Sequence, residues 1–362
     1  MKPGLRLSLD AWRRLAAKVE ASGGRLKWRT RLVYRLGGAG HSLLAKMQHV
    51  SYASLLESCV PFAPVFVLGF WRSGTTFLHE LLCSDSQFGF PSTYACLNPF
   101  HFLLSEQWIR QQPQQSARRP MDGMRYSWAS PQEDEFALLS LGAPSPYEAL
   151  LAPSLMCDAR SLLALPERPV EDQERWSACF EYFLRLLTVQ QAKTMVLKSP
   201  PHGFRLPILR KLFPRARYIL IERNPYEVFV SNLKLWRTLL DLYSLEGFSK
   251  ELIEEFVFTA YVLHEQAIAE GTRDLDGSLV AHVRYEQLVA EPVAEIRRLY
   301  KELHLGDFEK ARGGVERHVL TVQGHTRNPF HLLPGQKERV DKLWGDLIRA
   351  KGYRWTDIPQ NC

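Results

Sequence analysis

The chain has 362 residues, of which 46% are hydrophobic and 23% are charged, a composition typical of globular proteins that excludes extensive disorder. Residues 1–60 hold 11 Lys and Arg and 3 Asp and Glu, a net charge of +8. The rest of the chain holds 35 Lys and Arg and 36 Asp and Glu, a net charge of −1, which gives the total of +7. This nearly neutral remainder gives no support for nucleic-acid binding, and no apolar run is long enough to span a membrane. Six scattered cysteines without metal-ligand spacing, and an N-terminus without an apolar signal segment, lead us to expect a reduced, cytoplasmic protein.

Residues 1–60 are predicted to form a basic, helical N-terminal arm. In its second half, apolar residues recur at near-helical spacing after a run of lysines and arginines. Two interpretations are open: the helix packs its apolar stripe on the domain, as most amphipathic helices do, or it makes peripheral contact with an anionic membrane. The apolar residues are Leu43, Leu44, Met47, Val50, Leu55 and Leu56.

The most informative pattern follows the arm. The apolar run Val65–Leu68 predicts a buried strand, a polar turn follows, and a predicted helix spans Thr75–Cys83. A strand, a turn and a helix N-terminus together gather backbone N–H groups and the positive end of the helix dipole around an anion. We therefore expect Ser73–Thr76 to bind a phosphate and Arg72 to reach a bridging or leaving oxygen.

The spacing Gly69-x-x-x-x-Gly74 matches the phosphate loop of nucleoside triphosphatases, except that Thr75 stands where those proteins have a lysine. A loop without the lysine that reaches the β- and γ-phosphates is poorly suited to ATP hydrolysis. Two rival functions remain open on this pattern. One is a phosphate-loop kinase or triphosphatase that uses Glu222 for magnesium, and the other is a non-enzymatic, membrane-peripheral nucleotide-binding module that works through the arm.

Residues 86–150 are the predicted acceptor region. Six aromatic residues occur between positions 88 and 108, and they form either core packing or the wall of an apolar pocket. The polar stretch 111–120 is a candidate mobile lid over such a pocket. A helix is predicted over Ser130–Leu141, with Ser130, Pro131 and Glu133 as a capping box.

Further along the chain, strand-like apolar runs alternate with helical patterns. Strands are predicted at Thr194–Leu197, Ala216–Ile221 and Ser278–Val283, which implies a mostly parallel sheet covered by helices on both faces. Ligands of such folds bind beyond the carboxyl ends of the strands. Arg223, which follows the second of these strands, and Ser231 on the next helix form a cation and hydroxyl pair suited to a second phosphate. The two sites together predict a nucleotide with phosphate at both ends.

Three stretches, FVLGFWRSGTTFLHELL, MVLKSPPHGFRLPILRKLFPRARYILIERNPYEVFVSN and VRYEQLVAEP, resemble the sulfotransferases that use 3′-phosphoadenosine 5′-phosphosulfate (PAPS). The chain is most similar to the bacterial branch related to tyrosylprotein and carbohydrate sulfotransferases, over about residues 62–355. The resemblance implies a P-loop nucleotide-kinase-like, three-layer α/β fold with a central, mostly parallel five-stranded sheet flanked by helices. This domain would span residues 61–355, before a tail at 356–362.

The resemblance also implies an activity, the transfer of a sulfuryl group from PAPS to a hydroxyl of a small molecule, lipid or glycan, without a metal. Charge on the leaving oxygen would be stabilised first by Arg72 and second by Lys198, which follows the Thr194–Leu197 strand. Arg223 and Ser231 would bind the 3′-phosphate. The 5′-phosphosulfate would be bound by Arg72, Ser73, Gly74, Thr75 and Thr76.

The general base is predicted within three adjacent acids, with Glu133 or Glu135 preferred to Asp134. Several relatives place a glutamate shortly after the phosphate-loop helix, but here residues 90–94 read FPSTY. Acids in the first turn of a helix also favour its dipole, so a purely structural role for the three acids stays open. Weaker candidates for the site are His79, His202 and His325.

Overall fold

The computed structural model describes residues 5–21, 23–112, 117–118, 123, 125–322 and 332–355. His325, most of the predicted lid at 111–120 and the predicted tail at 356–362 lie outside the described residues. Seven strands occur in the described part of the chain: β1 (Val65–Leu68), β2 (Phe88–Gly89), β3 (Ala117–Arg118), β4 (Arg125–Tyr126), β5 (Thr194–Lys198), β6 (Arg217–Glu222) and β7 (Val280–Arg284). The α-helices there are α1 (Leu9–Ala21), α2 (Trp28–Ser51), α3 (Ala53–Ser58), α4 (Thr75–Cys83), α5 (Thr93–Leu97), α6 (Phe102–Gln111), α7 (Glu135–Leu141), α8 (Glu148–Leu151), α9 (Ala159–Leu163), α10 (Val170–Gln191), α11 (Leu206–Leu212), α12 (Pro225–Tyr243), α13 (Lys250–Thr272), α14 (Tyr285–Ala290), α15 (Pro292–Glu302), α16 (Phe308–Val322) and α17 (Pro334–Ala350).

Five strands form one parallel sheet in the order β2-β5-β1-β6-β7. The central strand β1 is an unbroken apolar run because both of its faces are covered, and its first residue, Val65, lies opposite Val196 of β5 and Arg217 of β6. Strands β3 and β4 form a separate antiparallel ladder. The predicted parallel five-stranded sheet is confirmed.

Helices cover both faces of the sheet, as the alternation of side chains along β1 requires. Phe66 and Leu68 belong to a buried cluster with Trp176 and Phe180 of α10, whereas Val65 and its neighbours on the opposite face pack against α4, α15 and α16. The predicted three-layer, P-loop-like α/β fold is therefore confirmed. The carboxyl ends of β5, β1 and β6 lie side by side at one edge of the sheet.

The N-terminal arm has two differently packed parts. Helix α1 buries Trp12 and Leu15 in a third apolar cluster, together with residues of α12 and α13, and its Lys18 Nζ lies 2.6 Å from Glu148 Oε2. In contrast, Leu43 and Val50 of α2 are exposed, as are Met47 and Leu55 of the predicted stripe, whereas Leu56 is buried. The interpretation in which the helix packs this stripe on the domain is therefore wrong for the exposed residues of α2.

The predicted start of one helix is also wrong. Helix α7 begins at Glu135 rather than Ser130, and its N-cap residue is Asp134, so the capping box does not form. The physical reason is that Pro131 pairs with Ser92 in an isolated β-bridge, which holds this segment extended up to the acids. None of the described helices is long and apolar enough to cross a lipid bilayer.

Candidate active site

The turn after β1 has a backbone that only certain residues adopt. Arg72 and Gly74 both have positive φ, at 69° and 99°. A Cβ atom on Gly74 would lie 2.2 Å from the Tyr285 ring, and one on Gly69 would lie 2.6 Å from the carbonyl oxygen of Ile221. Both glycines are therefore required by close packing, and Gly74 is required by its conformation as well.

This turn ends at the N-terminus of α4, whose first backbone N–H groups have no acceptor within the helix. Leu78 N is the donor that closes the first helical turn on Gly74 O, so the N–H groups of Thr75 and Thr76 precede the helical ladder. The Ser73 hydroxyl is buried and has no hydrogen-bond partner in the described part of the chain. These groups form a cradle of donors that fits a phosphate or sulfate group.

The second predicted phosphate site adjoins this cradle. Arg72 Nε donates to Ser231 Oγ at 2.8 Å, and Arg223 Nη1 donates to the carbonyl oxygen of Arg72 at 3.3 Å. Because Arg223 follows β6 and Ser231 lies on α12, these contacts join the phosphate loop to the next strand end and helix. The structure thus brings together the residues predicted for the two ends of the nucleotide.

Two residues that were not predicted position Arg223. Its Nε donates to Glu227 Oε2 at 2.7 Å, and its guanidinium carbon lies 4.5 Å from the centre of the Tyr285 ring. The same ring packs against Gly74. Tyr285 stands in the VRYEQLVAEP stretch, but nothing local in that stretch shows that its ring contacts both the loop and the Arg223 guanidinium.

Lys198 and Glu133 form the third part of the site. Lys198 Nζ lies 2.7 Å from Glu133 Oε1 and 3.4 Å from Thr76 Oγ1, and its side chain is almost fully buried. Lys198 is the last residue of β5, and Thr76 is in the first turn of α4, so the ion pair adjoins the anion cradle. A carboxylate and an ammonium group are held beside the place where a phosphate would bind.

Tyr147 completes this part of the site and was not predicted. Its hydroxyl donates to Glu133 Oε2 and accepts from Trp71 Nε1 at 3.0 Å. Burial, together with the charge of Glu133, raises the pKa of Tyr147 well above its ordinary value. Tyr147 therefore stays a neutral donor and holds one oxygen of Glu133 while Lys198 contacts the other.

The other two acids of the predicted base region point elsewhere. Both oxygens of Glu135 accept from Arg205, and both side chains of this pair are buried. Asp134 accepts from His202 Nε2 at 2.7 Å and from Ser199 Oγ at 2.7 Å. Burial acts to raise the pKa of Asp134, but the His202 and Ser199 contacts outweigh it and lower that pKa below its ordinary value. Only Glu133 of the three lies beside the anion cradle.

The histidine candidates also have structural partners. His79 on α4 lies 3.0 Å from the carbonyl oxygen of Val196, and burial with the nearby Lys198 charge lowers its pKa to about 4. His79 is therefore neutral near pH 7. The buried His202 contacts Asp134 through Nε2.

A model of the sulfotransferase family matches residues 64–309, about two thirds of the chain, including every element that forms this site. The chain belongs to the sulfotransferase family. Two curated relatives, the omega-hydroxy-beta-dihydromenaquinone-9 sulfotransferases Stf3 of Mycobacterium bovis and Mycobacterium tuberculosis, are each 32% identical to it over 349 residues. These matches cover 96% of this sulfotransferase and 90% of each relative.

Solved structures agree on the fold of this sulfotransferase. STF9 of Mycobacterium avium superposes with a TM-score of 0.69 at 20% identity, covering 96% of this chain and 93% of that one. STF1 of Mycobacterium tuberculosis superposes with a TM-score of 0.66 at 20% identity, covering 93% of both chains.

Family membership favours the sulfotransferase over both rival functions. The structure also gives Glu222, the acid that a magnesium-dependent rival would use, two cationic partners. Its Oε2 lies 2.9 Å from Lys351 Nζ and its Oε1 lies 3.5 Å from Arg284 Nε. This sulfotransferase thus uses Glu222 in a charge network that joins β6 to the C-terminal part of the chain.

Proposed function

We propose that this sulfotransferase transfers a sulfuryl group from PAPS to the hydroxyl group of a lipid alcohol. The observation that carries the proposal is the meeting of three charged groups beyond adjacent parallel strands. The first is the phosphate loop after β1, which includes Arg72. The second is Lys198 at the end of β5, paired with Glu133. The third is Arg223 after β6, whose contacts with Arg72 adjoin Ser231.

In this proposal, the donor nucleotide is held at both ends. The N–H groups and hydroxyls of Ser73–Thr76 hold the 5′-phosphosulfate, a role supported by the buried, unpartnered Ser73 hydroxyl. Arg223 and Ser231 hold the 3′-phosphate, because a fixed guanidinium beside a hydroxyl suits a dianionic phosphate. The hydrogen bond from Arg72 to Ser231 supports a place for the Arg72 guanidinium between the two ends of the nucleotide.

The chemistry needs a base for the acceptor and cations for the leaving group. Sulfuryl transfer resembles phosphoryl transfer, with a loose, in-line transition state. Glu133 takes the proton of the acceptor hydroxyl. At the same time the acceptor oxygen bonds to sulfur, and the bond between sulfur and the 5′-phosphate oxygen of the nucleotide breaks. Lys198 and Arg72 stabilise the negative charge that develops on the released oxygen, and adenosine 3′,5′-bisphosphate (PAP) leaves.

A lipid alcohol is supported by the identity with Stf3, whose name gives a hydroxylated dihydromenaquinone as its substrate. Most of the aromatic residues in 88–108 form core packing, since Phe88, Tyr94, Phe100 and Phe102 are buried; Trp108 of α6 is exposed. We also propose a cytoplasmic location. It is supported by five free thiols among the described residues, at Cys59, Cys83, Cys96, Cys157 and Cys179.

The test is transfer from radiolabelled PAPS to a long-chain isoprenoid alcohol in EDTA, with the methyl ether of that alcohol as control. We expect label in the alcohol and none in the ether, because the reaction needs the hydroxyl. Transfer of labelled phosphate from ATP and magnesium to the alcohol, without transfer of sulfate from PAPS, would overturn the proposal.

A further inference from the structure

Helix α2 exposes an apolar stripe along its length. Leu36 is 67% exposed and Val50 is 73% exposed, and Trp28 near the N-terminal end is 68% exposed. At 3.6 residues per turn, the stripe spans about 100° of the helix circumference. It consists of Trp28, Leu32, Leu36, Leu43, Met47 and Val50, all of which are exposed.

The opposite face of α2 is the one that contacts the protein. Tyr34 stacks on Trp12 with ring centres 4.5 Å apart, and the His41 ring lies 4.8 Å from that of Phe100. Gln48 is buried and donates to the carbonyl oxygen of Pro99 at 2.9 Å. A surface helix normally turns its apolar stripe toward the protein. In α2 the stripe faces outward instead, and the described residues leave it exposed to another surface.

The charge around the stripe is of one sign. No acid occurs between Glu20 and Glu57, whereas six lysines and arginines occur there. Arg29, Arg35 and Lys46 are exposed and lie beside the apolar residues, with Arg29 5.5 Å above the Trp28 ring. An apolar stripe with cationic flanks and an aromatic end matches the interface of an anionic bilayer.

The same charge argues against a second copy as the occupant. In a symmetric dimer each stripe would meet the same stripe of the partner, so the cationic flanks would face one another without an acid on either helix. We propose that α2 lies flat on an anionic lipid bilayer, with its apolar stripe below the headgroups and Arg29, Arg35 and Lys46 at the phosphates. This inference does not depend on sulfuryl transfer, since it uses no residue of the active site.

The experiment is flotation of the full chain with vesicles of phosphatidylglycerol and phosphatidylcholine in equal parts, or of phosphatidylcholine alone. We expect the protein to float with the anionic vesicles and to stay behind with the neutral ones. The variant R29Q/R35Q/K46Q should lower the partition coefficient about a hundredfold, because each cation contributes about fivefold near an anionic surface. The variant L43Q/M47Q/V50Q should lower it at least about tenfold.

A matched control is Leu320→Gln on α16, where Leu320 is 64% exposed and lies outside the stripe. It should float like the wild type. Unchanged melting of the variants, and an unchanged melting shift on adding PAP, separate lost docking from lost folding or lost nucleotide binding.

Three results would overturn the proposal. They are wild-type protein that does not bind anionic vesicles at low salt, an L43Q/M47Q/V50Q variant that partitions as strongly as the wild type, and a soluble dimer that this variant dissociates while no form binds vesicles.

Discussion

Lys198 Nζ lies 2.7 Å from Glu133 Oε1, and this pair adjoins the phosphate loop through the 3.4 Å contact of Lys198 with Thr76 Oγ1. The pairing places an acid that can accept a proton beside a cation that can stabilise a leaving oxygen. In the proposed mechanism, the two residues therefore have different tasks in one transfer step.

Replacing Glu133 by Gln should lower kcat about 10²–10⁴-fold, the usual contribution of a general base. The dissociation constant for PAP should stay within about twofold, because Glu133 is proposed to act on the acceptor and not on the nucleotide. Steady-state kinetics and calorimetric titration measure the two quantities. The control is Glu309→Gln, at an exposed glutamate of α16, which should keep the wild-type kcat. A Glu133→Gln enzyme with wild-type kcat would show that Glu133 is not the base.

Glu135→Gln should behave differently, although Glu135 is only two residues away. Its carboxylate is the buried partner of Arg205, and breaking such a pair costs about 3–5 kcal/mol because a buried charge loses its counterion. Urea unfolding should show this loss. The fraction that remains folded should keep its kcat, and a stable Glu135→Gln protein that is catalytically dead would reverse the two assignments.

Gly74→Ala should destabilise the fold by about 2 kcal/mol or more, because φ of 99° disfavours a Cβ atom and Tyr285 occupies its position. It should also weaken PAP binding, since the loop cannot keep its donors in place. Gly37→Ala is the matched control, because Gly37 lies in α2 with no atom within 4 Å of an added Cβ. The free energy of unfolding of that control should rise by about 0.5–1 kcal/mol, as measured by thermal or urea unfolding. Equal changes in the stability of the two variants would contradict the packing described here.

The Glu265–Lys351 contact, at 2.8 Å, predicts a pH-dependent contribution to stability. Burial acts to raise the pKa of Glu265, but His264 and Lys351 outweigh it and lower that pKa to about 2. A lowered carboxyl pKa contributes stability that is fully present above the unfolded value of 4.5 and is lost as pH falls toward 2.

The free energy of unfolding of Glu265→Gln should therefore lie below that of wild type by on the order of 3 kcal/mol from pH 7 to 5. The gap should narrow as the pH falls below about 4.5. Urea titrations across this range measure it, and a gap that widens in acid would show that the sign is wrong.

Much of the fold could be predicted because its signals are local. Val65–Leu68 is a short apolar run between a proline and a glycine, and the loop to Thr75 has a fixed glycine spacing. The carboxyl ends of parallel strands lie at the same edge of a sheet, so the meeting of Lys198 and Arg223 with the loop could be predicted from the positions of these residues at strand ends.

The division of roles among the three adjacent acids could not be predicted, since it depends on the extended segment held by the Ser92–Pro131 bridge. Tyr147 and Tyr285 come from distant parts of the chain and carry no local sign of their contacts. The spacing of the apolar residues in α2 predicts a stripe but not which side faces the protein.

The central claim is that one nucleotide is bound through the phosphates at both of its ends. The most direct test is to titrate the protein calorimetrically with PAP and, separately, with AMP in EDTA, and to compare the two dissociation constants. We expect the wild type to bind PAP about 10–100-fold more tightly than AMP, the gain that charge-assisted hydrogen bonds to the 3′-phosphate supply. Arg223→Ala should lose this preference while AMP binding is unchanged, and Arg237→Ala, at an exposed arginine of the same helix α12, should keep it. Equal wild-type affinities for PAP and AMP, or an Arg223→Ala protein that still prefers PAP, would contradict the account.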